Sequence, residues 1–365
     1  MKTERKNWVK QLTDNLKLTI LEHIKKYPKA ELQDILKMLY QNEFGPKHLA
    51  ENEIECFKAL SSEINNIDFN ENEELFCDIG EGALRLNLKA IPVGTNLNYI
   101  NKIIVNSANE FNGTNEKLVV KFGLLVVMAE NNEIPFDIQR VRDETNAFAK
   151  NGFRPISHSN IYKECYSPSY RVIHKKYREL VEAVIALRNV DFNKKHIIIN
   201  IDGNSASGKT TLAKNLANIL NAETVHCDDF FLPLEMRTKE RLKETGGNIH
   251  YERLKEEVID NFRKPTVISY KTYDCSKNEF TKNKVLMNKK IVLVEGAYSN
   301  HPYFENYADF KIFLKVDEET QKKRILNRNG EEMLKRFITE WIPMENKYFN
   351  EFKIEEKADI VIRSV

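Results

Sequence analysis

The sequence predicts an α/β domain built on a parallel sheet with flanking helices, of the P-loop NTPase type, preceded by a mainly helical N-terminal domain. Three observations carry this reading. After Asn193, short apolar runs alternate with amphipathic helical segments, the pattern of parallel strands joined by crossover helices. Between the first such run and its helix lies Gly203-Asn204-Ser205-Ala206-Ser207-Gly208-Lys209-Thr210, a complete G-x-x-x-x-G-K-[ST] match. Before residue 151, by contrast, most apolar residues recur three to four apart, as on the buried stripe of a helix.

In chain order, Trp8, Leu12, Leu16, Ile20, Leu21 and Ile24 mark a helix over 7–27 that stops before Pro28. The same period predicts helices over 30–42, 46–64, 96–111 and 116–130, with Asn112-Gly113-Thr114 as a turn. In this half only 84–91 alternates like a strand. A stretch containing Pro, Ser and Gly, 151–168, precedes a helical run over 170–187, read as a connector. Then come a buried strand at 196–201, a helix at 209–220, and strands at 223–227, 266–270, 291–294, 310–316 and 360–362. At 365 residues the chain favours two domains: 1–165 helical, 166–194 helical connector, 195–365 P-loop domain. No internal repeat or low-complexity tract interrupts this order.

Composition narrows the function classes. Hydrophobic residues at 41% supply enough apolar surface for packed cores, which excludes wholesale disorder. The 56 basic and 54 acidic residues nearly cancel, so no overall field commits the chain to nucleic acid or an anionic membrane. Five scattered cysteines without a C-x-x-C pair fit a reducing compartment rather than a disulfide framework. The start, MKTERKNWVKQLTDN, has no apolar core behind its charges, and no run reaches the ~18 apolar residues of a membrane span. A soluble cytoplasmic protein is expected, with oligomerisation left open.

The glycine-rich motif carries explicit chemistry. Its glycines let the backbone curl so that successive N–H groups face a polyphosphate, and the helix starting near Lys209 adds the positive end of its dipole. The nucleotide-binding set is Gly203, Asn204, Ser205, Ala206, Ser207, Gly208, Lys209, Thr210 and Thr211. Lys209 is expected to reach the β- and γ-phosphates of ATP, and Thr210 to help hold magnesium. The second strand ends in Asp228-Asp229, placing carboxylates at the sheet edge where open α/β folds bind ligands; capping the next segment is the alternative role. A later strand, 291–294, delivers Glu295 as an acidic metal partner.

Taken together, GNSASGKTTLAKNL, HCDDFFLP, VLVEGAY and KKRILNRNG resemble, in order and over residues 195–365, the P-loop kinases that include uridine kinase, nicotinamide riboside kinase and phosphoribulokinase. The resemblance implies transfer of the ATP γ-phosphoryl group to a sugar or similar primary hydroxyl. It implies Asp228 as general base, Thr210 and Glu295 as magnesium partners, and Arg324 and Arg328 as lid arginines, with Lys209 and Arg328 completing the catalytic set. Asp229, Phe230, His250, Tyr273 and Asp274 fall on the acceptor side. The sequence departs from the uridine kinases where Asn248-Ile249-His250-Tyr251 carries His in place of a carboxylate. It also departs after Tyr273-Asp274, where Cys275-Ser276-Lys277-Asn278 lacks the base-contacting His, which counts against uridine itself.

The leading expectation is a kinase of a nucleoside-like hydroxyl acceptor. The alternatives are another hydroxylated metabolite (a sugar phosphate, a pantothenate-like molecule or a hydroxy acid), or an ATPase or switch whose N-terminal domain binds a macromolecule. Trp341 and Tyr348 could line the substrate or simply pack, Glu345 could point a carboxylate at the substrate, and Lys335 and Arg336 could join the lid or stay solvated. Three polar stretches of the first half, 41–48, 78–85 and 157–162, pair turns with groups suited to an anion or metal. Capping and loop packing is the preferred role for them, ahead of a metal site made by Glu43, His48 and His158.

Overall fold

The computed structural model describes residues 2–264, 267–275 and 277–364, with the side chains of 2–13 and 282 outside the described set, so Trp8 and Leu12 are not placed. The chain divides into two compact units, Met1–Arg178 and Glu179–Val365.

The first unit contains α1 (Lys2–Lys26), α2 (Leu32–Phe44), α3 (Glu53–Ile64), β1 (Phe76–Asp78), β2 (Ala83–Asn87), α4 (Leu97–Ala108), α5 (Asn115–Glu130), α6 (Ile138–Lys150), α7 (Asn160–Tyr166) and β3 (Tyr170–His174). Side chains of Asn52, Asn96, Thr114, Asp137 and Ser159 accept first-turn N–H groups, which explains where α3 to α7 begin. Leu16, Ile20, Leu32, Ile35, Leu39, Leu118, Leu125 and Met128 meet in one core, as their spacing requires.

The sequence reading named neither α6 nor β1 and began α3 at 46 rather than Glu53, and three further features differ from it. The 151–168 stretch carries α7, a helix of seven residues that is too short to display a period yet buries Tyr162. The strand read at 84–91 stops at Asn87 and is followed by a 3₁₀ turn over Leu88–Ala90. The helical connector at 166–194 is partly strand: β3 pairs antiparallel with β2, Leu84 opposite Ile173, and helix resumes only in α8 (Arg178–Ala186). The β-branched pair Val172 and Ile173 suits a strand, and the ladder with β2 overrides local helical spacing.

The second unit contains β4 (Ile197–Gly203), α9 (Lys209–Leu220), β5 (Glu223–His226), α10 (Lys239–Lys243), α11 (Tyr251–Arg253), β6 (Ser269–Asp274), β7 (Glu279–Val285), β8 (Ile291–Glu295), β9 (Phe310–Lys315), α12 (Glu318–Arg336), α13 (Ile342–Phe352) and β10 (Ile360–Arg363). Five strands form the parallel sheet in the order β10-β9-β4-β8-β5. The central strand β4 is buried throughout, which accounts for its isoleucines at 197–199 and 201. Its one internal amide, Asn200, is satisfied by Ser299 and Tyr307. The register sets the site: Glu295 lies opposite both Ile201 of β4 and His226 of β5, so three strand ends open side by side.

The strand read at 266–270 is displaced. Thr266 lies outside the described residues, and Ser269–Asp274 forms β6 in a separate antiparallel hairpin with β7 rather than in the main sheet. β7, EFTKNKV, is too polar to announce a buried strand.

Candidate active site

The phosphate loop joins β4 to α9. Gly203 has φ 140°, and a Cβ there would lie 2.0 Å from the carbonyl oxygen of Leu314, so only glycine fits. Gly208 enters α9 at φ 100° without a side-chain cap, leaving the first N–H groups of the helix facing the loop. The loop is braced from outside. Ser205 N–H donates to Glu345 Oε2 at 2.9 Å, and Gln321 Nε2 donates to both the carbonyl and the hydroxyl of Ser205 at 3.0 Å. Val316 N–H donates to Asn204 Oδ1 at 3.3 Å. Lys209 Nζ donates to the carbonyls of Gly203 and Asn204 at 2.9 and 2.8 Å, which holds its ammonium over the loop.

Thr210 Oγ1 donates to Glu295 Oε1 at 3.1 Å, and His226 Nδ1 lies 2.5 Å from the same oxygen. A hydroxyl and a carboxylate converging at the mouth of the loop are the hard oxygen donors that magnesium takes, so these residues fit that ion. Gly296 lets β8 end close to the acidic turn, since a Cβ there would lie 2.8 Å from Cys227 Cβ.

Asp228 and Asp229 sit on a 3₁₀ turn, Cys227–Phe230, that follows the end of β5 at His226 rather than on the strand itself. Their surroundings separate them. Asp229 Oδ2 accepts from Tyr270 OH at 3.2 Å and pairs with Lys284 Nζ at 3.5 Å. Asp228 is open to solvent, and among the described residues it makes no hydrogen bond or ion pair.

Residues 198–336 match the phosphoribulokinase/uridine kinase family. The match spans the phosphate loop, the Asp228 turn, Glu295 and α12, so the resemblance read from the motifs holds for the second unit. A curated uridine kinase from Lactobacillus helveticus (strain DPC 4571) is 24% identical over 192 residues, which cover 46% of this chain and 87% of that protein. Among solved structures, a possible uridine kinase from Bacillus stearothermophilus is 18% identical with a TM-score of 0.40, covering 51% of this chain and 97% of that one. A Thermus thermophilus protein is 18% identical with a TM-score of 0.27, covering 47% and 90%. Among the described residues, no helix is long and apolar enough to cross a membrane.

Within the second unit, electrostatics distinguish the two acids further. Although one side of Asp228 reaches solvent, the protein packed around it displaces water from its carboxylate and raises its pKa above the usual aspartate value; Lys209 and His226 pull it down, while Glu295 and Asp229 push it up. Arg324 is committed to structure, donating to Ala206 O at 3.3 Å and to Ser364 Oγ at 2.9 Å. Arg328 is exposed and, among the described residues, bonds its neighbour Asn329 at 2.7 Å, just before Gly330 breaks α12 with φ 80°. Of the acceptor-side set, Phe230 is fully buried against Tyr270, and His250 Nδ1 lies 3.1 Å from Glu252. Tyr273 bonds Asn278 and Asp274 pairs with Lys277 at 4.0 Å, both at the turn of the β6–β7 hairpin.

Sequence reasoning left four contributors without their role. Gln321 braces Ser205, His226 orients Glu295, and Asp202, fully buried, accepts from Tyr348 OH at 2.8 Å and Asn300 N–H at 3.1 Å. Glu345, read as a possible substrate group, holds the loop instead. Tyr348 is core, and Trp341 packs edge-to-face on Phe337 at 4.4 Å with Arg336 over its ring. Among the described residues no group of three or more His, Cys, Asp or Glu could hold a metal, so Glu43, His48 and His158 do not converge on one.

Proposed function

We propose that the protein transfers the γ-phosphoryl group of ATP to a hydroxyl of a small, nucleoside-like molecule, as a soluble cytoplasmic enzyme. The observation that carries this reading is the register of β4, β8 and β5, which sets the phosphate loop, Glu295 and the Asp228 turn at adjoining strand ends.

The loop and first-turn N–H groups within 203–211 other than those of Gly203, Ser205 and Ser207, which are engaged by Asp202, Glu345 and Asn204, bind the polyphosphate, and Lys209 turns its ammonium from the loop carbonyls to the terminal phosphates. Asp228 accepts the proton of the acceptor hydroxyl as its oxygen attacks the γ-phosphorus; the bond to the bridging oxygen breaks and ADP departs. Thr210 and Glu295 would hold magnesium, which would supply charge neutralisation to the transferring group. Arg328, next to the Gly330 break, covers the phosphates as the segment closes. Asp229, Phe230, His250, Tyr273 and Asp274 make up the acceptor side. The nucleoside-like acceptor rests on the relative named uridine kinase.

Labelled ATP offered with a panel of nucleosides and other hydroxylated metabolites tests the reading. Transfer of label to an acceptor is expected. Release of free phosphate alone, unaffected by any acceptor, would make the protein an ATPase or switch instead.

A further inference from the structure

The three polar stretches of the first unit meet around one buried cation. Arg85, on β2 and 3% exposed, donates Nε and Nη2 to Gln41 Oε1 at 3.1 and 2.8 Å and lies 4.5 Å from the centre of the Tyr170 ring. From Gln41 a chain of hydrogen bonds runs in one direction to Asp34. Gln41 Nε2 donates to the Tyr170 hydroxyl at 3.2 Å, that hydroxyl donates to His158 Nε2 at 2.6 Å, and His158 Nδ1–H donates to Asp34 Oδ1 at 2.7 Å. Each link uses a donor and an acceptor that the next link leaves available, and the chain requires a neutral His158, in keeping with burial lowering its pKa. Asp34 also accepts from Ser159 N–H, Ser159 Oγ and Glu31 N–H. Its charge is therefore fully engaged, and three neutral groups stand between it and Arg85.

Among the described residues Arg85 has no ion pair, and its Nη1 has no hydrogen-bond partner. His23 Nε2, also buried, is a second orphan; its ring lies 6.5 Å from that of Tyr162, which in turn stacks on His158 of the hydrogen-bond chain at 4.1 Å. Burial, then the charge of Arg85, drive the His23 pKa down to about 2, and the same two causes bring Lys37 to about 8. Aromatic rings pack on the His23 side: His23 on Tyr27 at 4.8 Å, Tyr27 on Tyr162 at 5.2 Å, and half-buried Tyr27 edge-on to Tyr166 at 5.0 Å. A buried cation without a counter-charge, beside a second unsatisfied polar atom, costs stability that an apolar pair would not.

We infer that Arg85 and His23 form a binding site, walled by Tyr27, Tyr162 and Tyr170, for the oxyanion group of a small ligand, a carboxylate or a phosphate. Arg85 Nη1–H and His23 Nε2–H donate to the anion, which neutralises the guanidinium, and the ligand enters by displacing the outer rings Tyr27 and Tyr166. The site is independent of the phosphoryl-transfer reading.

The test uses the full chain and two anions, inorganic phosphate and acetate, followed by thermal midpoint and calorimetric titration. Because the phosphate loop also binds phosphate, Lys209→Ala is the background. The expected result is an anion-dependent rise in midpoint that survives Lys209→Ala and is weakened about tenfold or more in affinity by Arg85→Met, the loss of a charged hydrogen bond. Which anion acts separates a carboxylate ligand from a phosphate one. Without anion, Arg85→Met should melt at or above the temperature of the parent chain. If neither anion shifts the Lys209→Ala protein, or the shift persists in Arg85→Met, the inference fails. Should Arg85→Met not fold, His23→Phe decides: a reduced response supports the site, and an unchanged one overturns it.

Discussion

Glu345 accepts the backbone N–H of Ser205 at 2.9 Å across 140 residues of sequence, so α13 sets the shape of a loop made at the other end of the unit. Burial raises the Glu345 pKa, whereas Lys209 and the Ser205 bonds lower it, with a net rise. Glu345→Ala should weaken ATP binding by about tenfold or more, since a hydrogen bond to a charged group is worth roughly 1.5–3 kcal/mol. A nucleotide titration checks this, and unchanged affinity would show that the loop keeps its form unaided. Because the folded pKa is raised, the native chain holds this proton more tightly than the unfolded one. The carboxyl's contribution to stability therefore falls as pH rises from the ordinary glutamate value through the raised one, and Glu345→Gln should flatten that part of the stability profile.

Lys209→Ala should abolish phosphoryl transfer and weaken ATP binding, because the ammonium now held by Gly203 and Asn204 is the loop's own side-chain cation. Turnover equal to that of the parent chain would refute the site.

Asp228→Asn keeps shape and removes the proton acceptor, so turnover should drop about 10²–10⁴-fold with ATP affinity little changed. Asp229, already paired with Tyr270 and Lys284, should matter less when changed to Asn. With the Asp228 pKa raised above 3.8, activity should fall as pH drops through that raised value, and the acid limb should vanish in Asp228→Asn. The reverse ranking of the two variants would move the base to Asp229.

Glu295→Gln should raise the magnesium needed for half-maximal activity, because an amide oxygen holds a hard cation less well than a carboxylate. An identical magnesium titration would shift that role to another acid.

The division at Glu179 places α8 with the second unit, where Leu180, Val181, Val184 and Leu187 are buried. A fragment beginning at Val190 loses these side chains, each worth about 1.5–3 kcal/mol on burial. It should melt well below a fragment beginning at Glu179. Equal melting temperatures would place the boundary near 190.

Local signals determined a large part of this. The apolar run over Ile197–Ile201, the glycine-lysine loop, the acid pair and Glu295 follow from residue types at fixed short spacing, because a parallel sheet opens its strand ends on one edge. The helices α1, α2 and α5 were legible from their period, since an amphipathic stripe must be buried whatever it packs against. Tertiary structure alone decided the rest. Val172 and Ile173 became strand because β2 offered hydrogen bonds, Glu345 and Gln321 reached the loop because α12 and α13 pack beside it, and Arg85 met Gln41 and Tyr170 because two strands and a helix converge there. Such pairings join residues tens to hundreds of positions apart, and their energies depend on burial and geometry that no short window of sequence contains.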